Sequence, residues 1–77
     1  MLDKILQILN DVRPGVDWEN EEDLLERGLL DSFDMITLIN ELNEAFDVSI
    51  GLEQLEPENF YSIGAIISML IDLGAVL

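Results

Sequence analysis

An all-α fold is predicted: an up-and-down four-helix bundle of three main helices and one short one, with a long first loop. Three observations predict it. Apolar residues recur at spacings of three and four in three separate stretches, the pattern of helices with one buried face. Pro14-Gly15, Gly51, Pro57 and Gly74 punctuate the chain between those stretches. The 77 residues leave room for one small core, contributing about 3–5 kcal/mol of net stability, and an active-site cleft walled by several layers is not expected.

The first helix is read from Leu2 to Val12. Leu2, Ile5, Leu6, Leu9 and Val12 share one side, and Asp3, Lys4, Gln7, Asn10 and Asp11 lie largely on the other. Pro14-Gly15 stops it, because proline restricts the residue before it and glycine frees the next turn. Val16 to Leu30 is then a long connection, polar in the middle at Glu19-Asn20-Glu21-Glu22-Asp23. Such a loop needs pins of its own, here Val16, Trp18, Leu24, Leu25 and Leu30, with Leu24 and Leu25 on a short helical turn. Trp18 is read as a loop anchor in preference to a ligand-stacking residue. The acidic run lacks the alternating ligands, central glycine and terminal glutamate of a calcium loop, so it is read as solvated charge. Gly28 supplies a backbone turn that delivers Leu29 and Leu30 to the core.

A second helix follows from about Asp31 to Phe46, marked by Phe33, Ile36, Ile39, Leu42 and Phe46. Ile39, Leu42 and Phe46 are expected to lie deepest, flanked by Leu38 and Ala45. Two residues compete to cap this helix. Either Asp31 caps, with Asp34 three positions on in a capping-box arrangement, or the Ser32 hydroxyl binds a backbone N–H further in. The choice decides what Ser32 can do. If Asp31 caps, Ser32 is the first helical residue, with its hydroxyl free at the positive end of the helix dipole, where a phosphate is welcome. Phe33, Met35 and Ile36 lie on faces that cannot all be buried in a small bundle, so apolar surface is expected beside Ser32, either completing the core or forming a docking patch ringed by Asp34, Glu41 and Glu44.

Beyond Asp47, Val48-Ser49-Ile50 alternates apolar and polar, runs extended and drops two side chains into the core; Gly51 ends it. Leu52, Leu55 and Phe60 are expected plugs, and Pro57 suits the first position of a short helical turn through Glu58-Asn59-Phe60. The last helix begins near Ser62 as N-cap, runs to about Leu73 and stops at Gly74. Gly64, Ser68 and Asp72 form its polar stripe; Ile63, Ile66, Ile67, Leu70 and Leu73 face inward, and Ala75-Val76-Leu77 closes over one end. The run is too short and too interrupted to cross a bilayer.

Charge narrows the partners. Seventeen acidic residues stand against three basic ones, a formal net charge of -14, which repels phosphate backbones and anionic headgroups and favours a monomer. Nucleic acid and membrane insertion are therefore excluded, and a partner is expected to present Lys and Arg. Lys4, Arg13 and Arg27 all precede Ser32, so the half downstream of the serine is purely acidic and is the half expected to face partners. An apolar content of 49% is enough for collapse. With no cysteine and no histidine there are no disulfides or thiolate metal sites, and no imidazole to take a serine proton, so no catalytic triad can be assembled. Met1-Leu2-Asp3-Lys4 lacks the features of a signal peptide, and a cytoplasmic location is expected.

The run Gly28-Leu29-Leu30-Asp31-Ser32-Phe33-Asp34, followed by an amphipathic helix ending at Phe46-Asp47, resembles the acyl carrier protein family, which includes peptidyl and D-alanyl carriers. The likeness covers nearly the whole chain, as a single carrier domain over 1–77. It implies that Ser32 is the attachment site for 4'-phosphopantetheine drawn from coenzyme A, with Asp31 its companion. It also implies a non-catalytic phosphoprotein that holds an acyl or aminoacyl group as a thioester. The second helix would be the docking helix, presenting Phe33, Asp34, Met35, Ile36, Asn40, Glu41 and Glu44. The implied partners are a phosphopantetheinyl transferase, a loading ligase, adenylating enzyme or acyltransferase, and a downstream acyl-using enzyme.

The chain departs from fatty-acid carriers in having Phe33 after the serine, where Leu or Met is usual, and Thr37 and Asn43 at positions that tend to be acidic. Gly28 to Ser32 looks more like freestanding D-alanyl or aminoacyl carriers and some polyketide carriers. The competing reading is an unmodified acidic helical adaptor that binds a basic protein through its second helix.

Overall fold

The computed structural model describes residues 1–75. Among them the regular structure is all helical: α1 (Leu2–Val12), α2 (Ser32–Phe46) and α3 (Ile63–Asp72), with a single short 3-10 helix at Leu52–Gln54 between α2 and α3. No helix among the described residues is long and apolar enough to cross a membrane. Where a short helical turn is expected at Pro57 to Phe60, the chain makes two successive i→i+3 turns, Asn59 N–H to Glu56 O and Phe60 N–H to Pro57 O, with no further regular helix.

α1 ends where the sequence requires. Pro14 forces the residue before it out of the helical region, and Arg13 is extended, at φ -147° and ψ 98°. α1 packs against both α2 and α3, and its buried residues are Ile5, Ile8 and Leu9. Ile8 replaces Leu2 in that face: Leu2, at the helix start, is 41% exposed, and Ile8 is 3% exposed.

Trp18, Leu24 and Leu30 are buried and pin the first loop, while Val16 and Leu25 pack beside them. Leu24 and Leu25 lie on a helical turn, with Arg27 N–H donating to Asp23 O at 2.9 Å and Gly28 N–H to Leu25 O at 3.2 Å, and the chain then closes back on Leu24 O through Leu29 N–H and Leu30 N–H at 3.0 and 3.2 Å. Trp18 is 1% exposed and its indole N–H has no partner among the described residues, so packing is what holds it there. The loop is tied at one further point, where Arg27 pairs with Glu21 at 2.9 Å. The hydrogen bond to the Glu22 carboxylate, that group's negative charge and, to a lesser degree, desolvation and Asp23 push the Tyr61 phenol above its ordinary value.

α2 is rotated from the expected register. Leu38 and Leu42 are fully buried, Ile39 and Phe46 are half-buried and Ala45 is exposed. Leu38 and Leu42 are four apart and lie on one line of the helix, the line that faces α1 and the loop pins. Ile39 and Phe46 flank it. α2 closes at Asp47 in the left-handed conformation, whose N–H donates to Asn43 O.

The segment after α2 is held by a side chain. Asn43 Oδ1 accepts from Ile50 N–H at 2.9 Å, which sets Ile50 into the core with Val48 beside it. Phe60 is a buried plug, but Leu52 and Leu55 are not: they are 84% and 39% exposed. The reason is local, since Gln54 accepts from Gly51 N–H and winds Leu52–Gln54 into a tight turn that projects from the core surface. α3 starts as expected, with Ser62 Oγ accepting from Ala65 N–H at 3.2 Å, and it buries Ile63, Ile66, Met69 and Leu70. Ile67 and Leu73 are half-buried, and Gly64, Ser68 and Asp72 face outward. Of the expected closing tail, Ala75 packs on the core, and Val76 and Leu77 lie outside the described residues.

Burial separates two apolar residues of α2. Leu42→Ala should cost about 2–5 kcal/mol, and Ile36→Ala, at 60% exposure, should stay within about 0.5 kcal/mol of wild type. Urea denaturation checks both; equal losses would contradict this register.

Candidate functional site at the start of the second helix

The two capping candidates at the start of α2 are resolved by geometry. Asp34 N–H donates to Asp31 Oδ1 at 2.8 Å, and Asp31 N–H donates to Asp34 Oδ2 at 3.3 Å. This reciprocal capping box makes Asp31 the N-cap, with an extended backbone at φ -93° and ψ -174°, and places Ser32 as the first residue inside the helix. Among the described residues no hydrogen bond engages the Ser32 hydroxyl, and Ser32 is exposed.

The loop delivers Ser32 to this place in three steps. Leu30, buried two residues before the serine, anchors the chain. Gly28 takes φ +75°, a conformation that L side chains rarely adopt, and so allows the turn that carries Leu29 and Leu30 inward. Asp31 then starts the helix before Ser32 can do so. The amides of Ser32 and Phe33 have no acceptor among the described residues, so a free hydroxyl and two free N–H groups gather at the positive end of the α2 dipole. A phosphate ester on Ser32 fits this chemistry.

The surroundings are not purely anionic. Arg13, at the end of α1, donates to Leu29 O at 3.0 Å and Gly28 O at 3.3 Å, and stands 3.5 Å from Asp34 Oδ2. Asp34 is therefore a tied, half-buried capping residue, unlike the exposed carboxylate the sequence suggests. Arg13 was missed from the sequence. Its one signal there is scarcity, a cation beside a helix-stopping proline in a chain with only three basic residues.

The proposed docking residues separate by burial. Phe33 is 80% exposed, and Ile36, Thr37, Asn40, Glu41 and Glu44 are exposed with it. Their spacings of three and four set them along one line of α2 that starts beside Ser32. Met35 is not part of that line: it is half-buried against the core. Asn43 is also turned away from it, since its side chain holds Ile50. A shallow groove lies on the side of α1, lined by Asp3, Lys4, Leu6, Gln7 and Asn10, and no residue of α2 lines it.

The two capping candidates have opposite signatures in stability. Asp31→Ala should lose about 0.5–2 kcal/mol, and Ser32→Ala should change stability by less than about 0.5 kcal/mol. Thermal melts followed by circular dichroism measure both, and a larger loss for Ser32→Ala would contradict the assignment of the cap.

Comparison with known proteins agrees with this chemistry. The family model described as "Phosphopantetheine attachment site" matches residues 3–70. No curated protein matches the chain. Domains of that family are sites of covalent 4'-phosphopantetheine attachment and are generally non-catalytic carriers. They are modified by phosphopantetheinyl transferases and interact with acyl-handling enzymes. The match runs from α1 through α2 into α3, well over half of the chain, and the chain belongs to the phosphopantetheine-binding, acyl-carrier-like family.

Proposed function

We propose that Ser32 is the attachment residue and that the chain, as one carrier domain over residues 1–77, carries an acyl or aminoacyl group between partner enzymes. The observation that carries this reading is the Ser32 hydroxyl, exposed and without a hydrogen bond at the first position of α2 because Asp31 occupies the cap. Ser32 Oγ attacks the pantetheine-bearing phosphorus of coenzyme A. The new bond is Oγ–P, the bond to the bridging pyrophosphate oxygen breaks, and the adenosine bisphosphate half leaves. The hydroxyl proton passes to a base on the transferase, which also supplies Mg2+, since this chain has no histidine to serve. The attached arm supplies a terminal thiol that holds cargo as a thioester.

The chain's own residues do the rest. Asp31 and Asp34 hold Ser32 at the helix start, and the α2 line of Phe33, Ile36, Asn40, Glu41 and Glu44 meets the partner. Phe33 gives that surface apolar area, and the glutamates give it attraction for Lys and Arg, which steers encounter and weakens as salt rises. Asp34 and Met35 support this surface from below. The docking surface belongs to a non-enzymatic, cytoplasmic monomer, whose partners are a transferase, a loading ligase, adenylating enzyme or acyltransferase, and an acyl-using enzyme. Gly28 to Ser32, with Phe33, Thr37 and Asn43 in place of a fatty-acid carrier's usual residues, favours aminoacyl, D-alanyl or secondary-metabolite pathways over fatty-acid synthesis.

Incubation with coenzyme A and a promiscuous phosphopantetheinyl transferase, followed by intact-mass spectrometry, tests this. Wild type should gain one phosphopantetheine and Ser32→Ala none. A wild-type chain of unchanged mass would remove the carrier reading and leave an acidic adaptor.

A further inference from the structure

We propose that Arg13 is a positioning residue for the modification of Ser32, an inference that rests on reading Ser32 as the attachment site. Its guanidinium Nη1 faces three acceptors at once: Leu29 O at 3.0 Å, Gly28 O at 3.3 Å and Asp34 Oδ2 at 3.5 Å. The two carbonyls precede Ser32 in the chain and the carboxylate follows it, so a single side chain from the end of α1 braces both sides of the serine. Few other ties do this. The amide side of Leu29 and Leu30 is fastened to Leu24 O within the loop, which leaves the carbonyls of Gly28 and Leu29 to Arg13. Arg13 thus joins three elements, α1, the loop end and the α2 capping box. Pro14 holds the Arg13 backbone extended at this junction.

The brace has an electrostatic side. Asp31 and Asp34 place two carboxylates around a hydroxyl that must meet the anionic pyrophosphate of coenzyme A. Arg13 is the one cation paired with either of them among the described residues, and it offsets Asp34, which is only 20% exposed. A half-exposed ion pair of this kind adds little to folding. Its effect falls on where the Ser32 oxygen sits and on the local field at the moment of transfer, whereas the docking face of α2 governs binding of the enzyme.

Steady-state transfer kinetics with purified transferase and coenzyme A test this on wild type, Arg13→Gln, Arg13→Lys, Asp34→Asn and the Arg13→Gln/Asp34→Asn double variant. Ser32→Ala is the control. Each variant is assayed at a temperature where circular dichroism shows it fully helical. Arg13→Gln should lower kcat by about tenfold to a hundredfold while KM for the carrier stays within about twofold. Arg13→Lys, which keeps the charge but not the fork, should fall between Arg13→Gln and wild type. The double variant should be little worse than Arg13→Gln, because both changes break one brace. Wild-type kcat in Arg13→Gln, a loss confined to KM, or strictly additive losses in the double variant would each overturn the proposal while leaving Ser32 as the attachment residue. No modification of wild type would remove the attachment reading, and this inference with it.

Discussion

The capping box between Asp31 and Asp34 is the constraint on which the site depends. A helix start needs an acceptor for its orphan amides, and serine and aspartate supply one about equally well. With Asp31 in that role at 2.8 Å, the hydroxyl next to it is released from structural duty. Had Ser32 been the cap, its oxygen would be bound to a backbone amide, and modification would remove a helix cap each time. The box instead lets the helix stand whether or not Ser32 is esterified. Arg13 extends the same constraint outward by fixing the carbonyls before the serine and the carboxylate after it.

The remainder of α2 divides its labour by face. Leu38 and Leu42 anchor it on α1 and on the loop pins, and the line from Phe33 to Glu44 is free of packing duties. In a chain this small, leaving Phe33 and Ile36 in water costs apolar area that the core would otherwise use. That cost makes sense where a partner covers the surface. The charge distribution points the same way, because Arg13 and Arg27 are tied within the fold while the glutamates of α2 face solvent. Lys4 lies on α1, in a groove that no residue of α2 lines.

How much of this was legible in the sequence depended on whether a local rule decided the matter. The end of α1 at Pro14, the Ser62 cap and the Gly74 stop of α3 follow from backbone chemistry and were read directly. The loop pins Trp18, Leu24 and Leu30 were also legible, since large apolar residues in a polar loop have only the core to go to. The depth order within α2 was not. Leu38, Ile39, Leu42 and Phe46 populate adjacent lines of one helix, and the line that turns inward is chosen by α1, which periodicity within α2 cannot see. Leu52 and Leu55 were misplaced for a related reason. Their apolar character suggested burial, but a Gln54 side chain closing onto Gly51 N–H winds that segment outward. At the site, the sequence narrowed the cap to two residues, and only the geometry separated them. Arg13 was hard to read because two of its three acceptors are backbone carbonyls, which carry no residue identity, and the third, Asp34, lies 21 residues away in the chain.

Amide hydrogen exchange by NMR at Asp34 tests the central claim most directly, since that N–H is held by the Asp31 side chain, whereas a Ser32 cap would take the Asp34 or the Met35 N–H. Its protection should survive in Ser32→Ala and collapse in Asp31→Ala. Protection lost in Ser32→Ala and kept in Asp31→Ala would mean that the serine oxygen is the cap, and a free hydroxyl for the phosphopantetheine arm would no longer follow.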